Sequence, residues 1–295
     1  MMARTMTASP TTPGVFAPAR EVTDLGQCFF YHTMDLPRFG TVLGAWDLRG
    51  KVGAYLGGTD LRGRRVLELG TASGFLCFEM EKRGADVIAY DLSEKDEWDL
   101  VPFASARVAP AFERKALIRK LNNGWWLAHR ALGSKARAVY GSVYAVPEGI
   151  GPVDVATFGC ILLHLRDPFG ALASAARLVR DTIIVTEHDT HRIGTSRWGR
   201  RLMGGVRALR DGAVEGARFL LGKRGPSRVR LARRHLIFLP DASRGEPLDT
   251  WWAFQPEVLI EMLAVLGFPR AKVTYHAADY DGRSVPMFTV VARRG

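Results

Sequence analysis

Arg65-Val66-Leu67-Glu68-Leu69-Gly70-Thr71-Ala72-Ser73-Gly74-Phe75 is the stretch on which the reading of this chain turns. An apolar run with β character ends on a carboxylate, and a loop with two glycines then opens a helix at Phe75. Glycine at 70 and 74 lets the main chain turn sharply and lets a ligand lie against bare backbone. The free N–H groups at the start of the following helix would face that ligand. The same order of elements also occurs as a plain connection, so the stretch needs partners elsewhere before it carries a function.

The first partner lies 21 residues beyond Gly70, where Ala85-Asp86-Val87-Ile88-Ala89-Tyr90-Asp91 reads as a second buried strand ending in a carboxylate. A strand–loop–helix–strand unit of this length brings Asp91 beside the glycine loop, where it can accept both ribose hydroxyls of a nucleoside. A dinucleotide site of the form G-x-G-x-x-G would need glycine at 70, 72 and 75. This chain has Gly70, Ala72 and Phe75 there, which compromises the close approach of a pyrophosphate and favours a nucleoside without phosphates.

Working outward, the helix after Gly74 is predicted to stop at Gly84, a C-cap. Residues 101–138 read as helical, with a break at Asn122-Asn123-Gly124. Further strands are predicted over 138–144, 153–159 and 182–186, and Asp167 with Pro168 serves as N-cap and first residue of the next helix. A helix opens at Pro256, and two last strands, 271–277 and 285–292, flank the hairpin signal Asp281-Gly282. Strands alternating with helices and closed by an antiparallel pair predict an α/β fold: seven strands, mostly parallel, with helices on both faces and a C-terminal antiparallel hairpin. Residues 1–20, rich in Thr, Pro and Ala, are expected to be a disordered leader, and 21–60 an arm or lid. Residues 61–190 form the core, 191–248 a basic insertion and 249–295 the last part of the core.

At 295 residues the chain can bury a full core, and its 47% apolar content is that of a globular protein. No apolar run approaches the roughly 20 residues of a membrane helix, and the leader has no apolar h-region of a secretory signal. Cys28, Cys77 and Cys160 are scattered without metal-ligand spacing and read as reduced thiols of a cytoplasmic protein. The net charge of +11 is segregated, for thirteen Lys or Arg lie between Arg192 and His235 against only Asp211 and Glu215. The rest of the chain balances at 28 basic and 28 acidic residues.

Glu68-x-Gly70-x-x-x-Gly74, then Asp91, Gly141-Ser142 and His164-Leu165-Arg166-Asp167-Pro168, occur here in one order. In this, residues 60–190 resemble the class I S-adenosylmethionine (SAM) methyltransferases. The resemblance implies a Rossmann-like sheet, SAM as cofactor, and cofactor contacts at Glu68, Gly70, Thr71, Ala72, Gly74, Phe75, Asp91, Leu92, Ser142, Val143 and Gly159. Ser142 departs from the short Asp or Asn that commonly meets the adenine. Tyr31-His32-Thr33, the segments 78–84 and 163–168, and Thr250-Trp251-Trp252 are similar to a bacterial branch that includes the tRNA wobble-uridine carboxymethyltransferases. That narrower likeness implies an N-terminal lid carrying Tyr31 over the cofactor. Those enzymes have a substantial extra N-terminal region for tRNA, whereas about sixty residues precede the glycine loop here. The likeness therefore speaks for the chemistry more than for tRNA as substrate.

Methyl transfer from a sulfonium is an in-line displacement with a good leaving group, so positioning does most of the work. A base is needed where the acceptor is protonated. His164, just beyond the fourth core strand, is the candidate, with a pKa suited to neutrality. Packing on the cofactor edge or a bond to a backbone carbonyl is the alternative role for it. Glu187 and His188, after the fifth strand, are in reserve. Glu187, His188, Asp189 and His191 cluster in sequence, but strand neighbours point to opposite faces, so no metal is expected. Trp251 and Trp252 either wall an acceptor pocket or pack in the core.

In the basic insertion, Trp198, Leu202, Val206, Leu209, Ala213, Ala217 and Leu220 recur at helical spacing. This segment reads as a lid, as an electrostatic grip on RNA or an anionic substrate, or as a membrane-surface or partner helix. The leading expectation is methylation of a small molecule, oxygen ahead of nitrogen. An RNA-modifying methyl- or carboxymethyltransferase and a non-catalytic SAM-binding protein are the alternatives.

Overall fold

A computed structural model describes residues 14–104, 111–189 and 235–295. The apolar runs that end on Leu69 and Asp91 become neighbouring parallel strands, β4 (Arg65–Leu69) and β5 (Asp86–Asp91), in register Val66 to Val87 and Leu69 to Tyr90. β6 (Arg137–Tyr140) extends the sheet beyond β5. On the other side of β4 lie β7 (Val153–Gly159) and β8 (Val179–His188), also parallel. β12 (Arg283–Arg293) and β11 (Arg270–Tyr280) then add as an antiparallel hairpin. Its two-residue turn has Asp281 and Gly282 both at positive φ, the conformation that suits the twist of the flanking strands.

These are the seven strands and the closing hairpin expected from the sequence. An eighth, β3 (Trp46–Asp47), pairs antiparallel with β11 and gives the order β3-β11-β12-β8-β7-β4-β5-β6. It belongs to the N-terminal arm, whose small hairpin β1 (Met34–Leu36) and β2 (Gly40–Val42) precedes it. Two residues are too few to leave a periodic signal.

Side chains alternate between two apolar layers. Val66, Ala89 and Val155 face the layer that holds α2 (Phe75–Lys82), α3 (Ala111–Leu132) and the short α1 (Val52–Tyr55). Leu67, Leu69, Ile88 and Phe158 face α4 (Pro168–Ala176) and the C-terminal helix α5 (Pro256–Val265). Strands buried on both faces read as continuous apolar runs, as these do. A smaller ladder, β9 (Leu236–Phe238) with β10 (Trp252–Phe254), lies outside the main sheet.

Two expectations are corrected. α3 runs unbroken through Asn122-Asn123-Gly124. The residues that argued for a break serve tertiary contacts: a Cβ on Gly124 would come 2.8 Å from the Phe29 carbonyl oxygen, and Asn122 is buried. Part of the expected leader is also fixed, for Ala17 donates its N–H to the Ala138 carbonyl on β6 at 2.8 Å and Arg137 lies over the Phe16 ring. Residues 1–13, 105–110 and 190–234 lie outside the described residues, the last range taking in most of the expected insertion 191–248 with its apolar stripe and His191. Among the described residues no helix is long and apolar enough to cross a membrane.

Candidate functional site

The carboxyl ends of β4 to β8 form one edge, the place where open α/β sheets hold ligands. β4 leaves it through Gly70, at φ +80, where a Cβ would stand 2.8 Å from Ile161 Cδ1. Gly74, at φ +90, starts α2 and lies against Phe78 and Trp125, with 2.5 Å to the nearer ring atom for any added Cβ. Both positions require glycine on backbone and steric grounds together. Ala72 also has positive φ, and its N–H donates to Asp91 Oδ2 at 2.6 Å while the Leu92 N–H reaches Oδ1 at 2.7 Å. The Thr71 hydroxyl donates to Glu68 Oε2 at 2.6 Å.

Burial raises the Glu68 carboxyl to about 7, against the opposing Thr71 bond. Burial likewise raises Asp91 to about 6, with the Leu92 and Ala72 N–H groups working the other way. Among the described residues no Lys or Arg pairs with either one. A buried Glu68 and a half-buried Asp91 without a cation, one with lone pairs left beside a bare glycine loop, fit a cationic nucleoside such as the resemblance implies. Phe75 is buried at the head of α2.

Other elements hold this loop in place. Asn122 Nδ2 donates to the Leu92 carbonyl at 3.1 Å, and the Gly141 N–H to that of Asp91 at 2.9 Å. The Ser142 hydroxyl accepts from the Tyr144 N–H at 3.3 Å and so caps the turn Val143–Ala145. Val143 is buried within the layer of α4. The N-terminal arm crosses the same edge. Ser73 Oγ accepts the Tyr31 N–H at 3.1 Å and the His32 N–H at 3.4 Å. Tyr31 N–H and His32 N–H thereby tie the arm to the glycine loop, while Trp46, on β3, fixes its far end to β11.

The ends of β7 and β8 make the other half. Gly159 faces Tyr55, whose hydroxyl would lie 3.0 Å from an added Cβ. Cys160 follows at φ +50 and redirects the chain into the single turn Leu162–His164. His164 Nδ1 bonds the main-chain carbonyl of Asp249. A carbonyl only accepts, so Nδ1 carries the hydrogen and Nε2 keeps a free lone pair. Glu187 Oε1 accepts the Leu162 N–H at 3.1 Å, and burial raises this carboxyl to about 8.

His188 leaves the opposite face of β8, stacked on Trp46 with ring centroids 5.6 Å apart. Its Nε2 is buried without a partner, and burial, then the neighbouring His164, lowers its pKa to about 4. Burial raises the Tyr31 phenol to about 12, against the opposing bond with the Trp46 side chain. Trp251 and Trp252 are packed, their indole N–H groups donating to the Asp99 and Leu165 carbonyls at 2.8 and 3.0 Å. Among the described residues no group of three His, Cys, Asp or Glu is placed to hold a metal.

The sequence-derived residues thus meet along one edge. Ser73, Asn122, Trp46 and Asp249 were not singled out for the site. Asn122 had a visible signal in Asn122-Asn123-Gly124 that reads locally as a helix break. Trp46 and Asp249 act through contacts far away in sequence and had none.

A family model described as a methyltransferase domain matches residues 47–211. No curated protein matches. Similar solved structures include magnesium protoporphyrin IX methyltransferase from Synechocystis PCC 6803 with bound SAH, at 13% identity and TM-score 0.47 over 84% of this chain and 82% of that one. Another is the 1,6-didemethyltoxoflavin-N1-methyltransferase of Burkholderia thailandensis, at 16% identity and TM-score 0.45, covering 82% and 74% of the two chains. A putative methyltransferase from Bacillus halodurans C-125 shows 12% identity and TM-score 0.46, covering 82% and 98%. These likenesses are too slight to carry a substrate or a residue's role to this chain. The family match is of another order: it spans more than half of the 295 residues, and by it this chain belongs to the methyltransferase-domain family.

Proposed function

We propose that this methyltransferase uses SAM and transfers its methyl group to an oxygen of a small acceptor, with His164 taking the proton. SAM, when bound, supplies a methyl group activated on a sulfonium. Glu68, the Gly70–Gly74 loop and Asp91 would hold it, Asp91 through its unused lone pairs on the ribose hydroxyls and Glu68 through charge. Leu92, Ser142, Val143 and Gly159 complete the surround, with Tyr31 closing it from the arm. The observation that carries the acceptor half is the bond between His164 Nδ1 and the Asp249 carbonyl. With Nδ1–H held by Asp249, Nε2 is the atom left to take the proton of an acceptor hydroxyl. His188, with its pKa lowered to about 4, stays neutral and offers a polar contact to the acceptor.

One observation favours a second reading, an RNA acceptor gripped by the cations between Arg192 and His235. The test incubates the protein with methyl-labelled SAM, a panel of small phenols, alcohols and amines, and bulk tRNA. Label in a phenol or alcohol supports the proposal. Label in the tRNA, at a rate falling steeply with salt, replaces it with the second reading.

A further inference from the structure

We propose that Glu187 is a positioning residue for His164: its carboxyl takes up the main-chain N–H groups opening the turn Leu162–His164 and so fixes where the imidazole sits. The inference rests on the reading of His164 as the base. Glu187 is only 1% exposed and lies at the end of β8, directly beneath that turn. Its Oε1 accepts the Leu162 N–H at 3.1 Å, and the Leu163 N–H also reaches the carboxyl. From the other side the Leu163 carbonyl accepts the Trp251 N–H at 2.8 Å, and His164 Nδ1–H meets the Asp249 carbonyl.

The turn is therefore clamped between β8 and the segment 249–251. Cys160, in the left-handed region, is where the chain bends into this clamp. Among the described residues the Leu162 N–H has Glu187 as its acceptor and no other, so without that carboxyl the single turn loses its hold. It would shift, and the bond from His164 to Asp249 would loosen with it. A proton-accepting role for Glu187 would instead need the carboxyl at the reacting atoms.

The experiment reads the His164 ring by ¹⁵N imidazole NMR in the full chain with SAH added, comparing Glu187→Gln, Glu187→Met and Glu187→Ala. The Gln variant keeps an acceptor oxygen and is expected to keep the Nδ1–H form of the wild type. Met keeps the volume without the acceptor, and Ala removes both. In these the ratio of Nδ1–H to Nε2–H should fall by about tenfold, the worth of a hydrogen bond or two. Calorimetric binding of SAH shows that each variant is folded. A wild-type His164 spectrum in Met or Ala overturns the proposal, and so does a Gln variant as disturbed as they are. Turnover that survives His164→Ala would remove the base reading alone, because the NMR reads the ring's placement whatever its role.

Discussion

In the proposed function the donor half centres on the 24 consecutive residues from Glu68 to Asp91, and the acceptor half draws on residues as far apart as Trp46, His164, Glu187 and Asp249. In the first, the loop satisfies its own strained backbone: Ala72 and Leu92 N–H groups end on Asp91, and Thr71 on Glu68. In the second, each polar group is held by a different element, Glu187 beneath the turn and Asp249 above it. A local unit of this kind keeps its geometry when the rest of the chain varies. A site assembled from remote segments changes with any one of them, which on the proposed function is where substrate choice would reside.

The largest effect separating the halves is expected at His164. Replacement by Ala should lower turnover on a hydroxyl acceptor by about 10²–10⁴-fold, the usual contribution of a positioned base. Initial rates with labelled SAM check this, and an unchanged rate would remove the base from the acceptor half. Ser73 joins the halves, since one buried hydroxyl accepts both arm N–H groups. Ser73→Ala leaves those donors without their acceptor and should cost about 1–3 kcal/mol in urea unfolding. A loss below the error of the measurement would mean that the arm is held by β3 alone.

A smaller effect is expected from pH. Glu187 and Glu68, raised to about 8 and 7 in the fold, bind more protons folded than unfolded, so their share of stability is lost as pH rises toward those values. His32 and His188, lowered to about 4, act oppositely, but that gain tapers off above about pH 6.5, the midpoint at which an unfolded imidazole titrates. The melting temperature of the ligand-free chain should therefore decline between about pH 6.5 and 8, and Glu187→Gln should flatten the decline. Calorimetric scans across that range, rising or flat in the wild type, would contradict the buried state of these carboxyls.

The contrast also explains what could be read from the chain alone. The seven core strands, the glycine loop, Asp91 and the Asp281-Gly282 hairpin rest on short-range signals: apolar runs, positive-φ residues and a fixed spacing. The Asn122-Gly124 break failed because a local propensity of about 1 kcal/mol for glycine was outweighed by close packing against Phe29 and Ser73. β3 and the anchoring of residues 14–20 were invisible, since each is a few residues long and exists only through its partner strand. His164 was legible as a residue, but its tautomer and the partner of Glu187 were not, because both depend on segments more than twenty residues away.

Calorimetric titration of SAM into the wild type, Asp91→Ala and His164→Ala tests the division into a donor and an acceptor half most directly. Asp91→Ala should weaken binding by about ten- to a hundredfold, as expected for lost hydrogen bonds to a charged group. His164→Ala should leave the affinity within about twofold of the wild type. Unchanged affinity in Asp91→Ala, or an equal loss in both variants, would contradict the account.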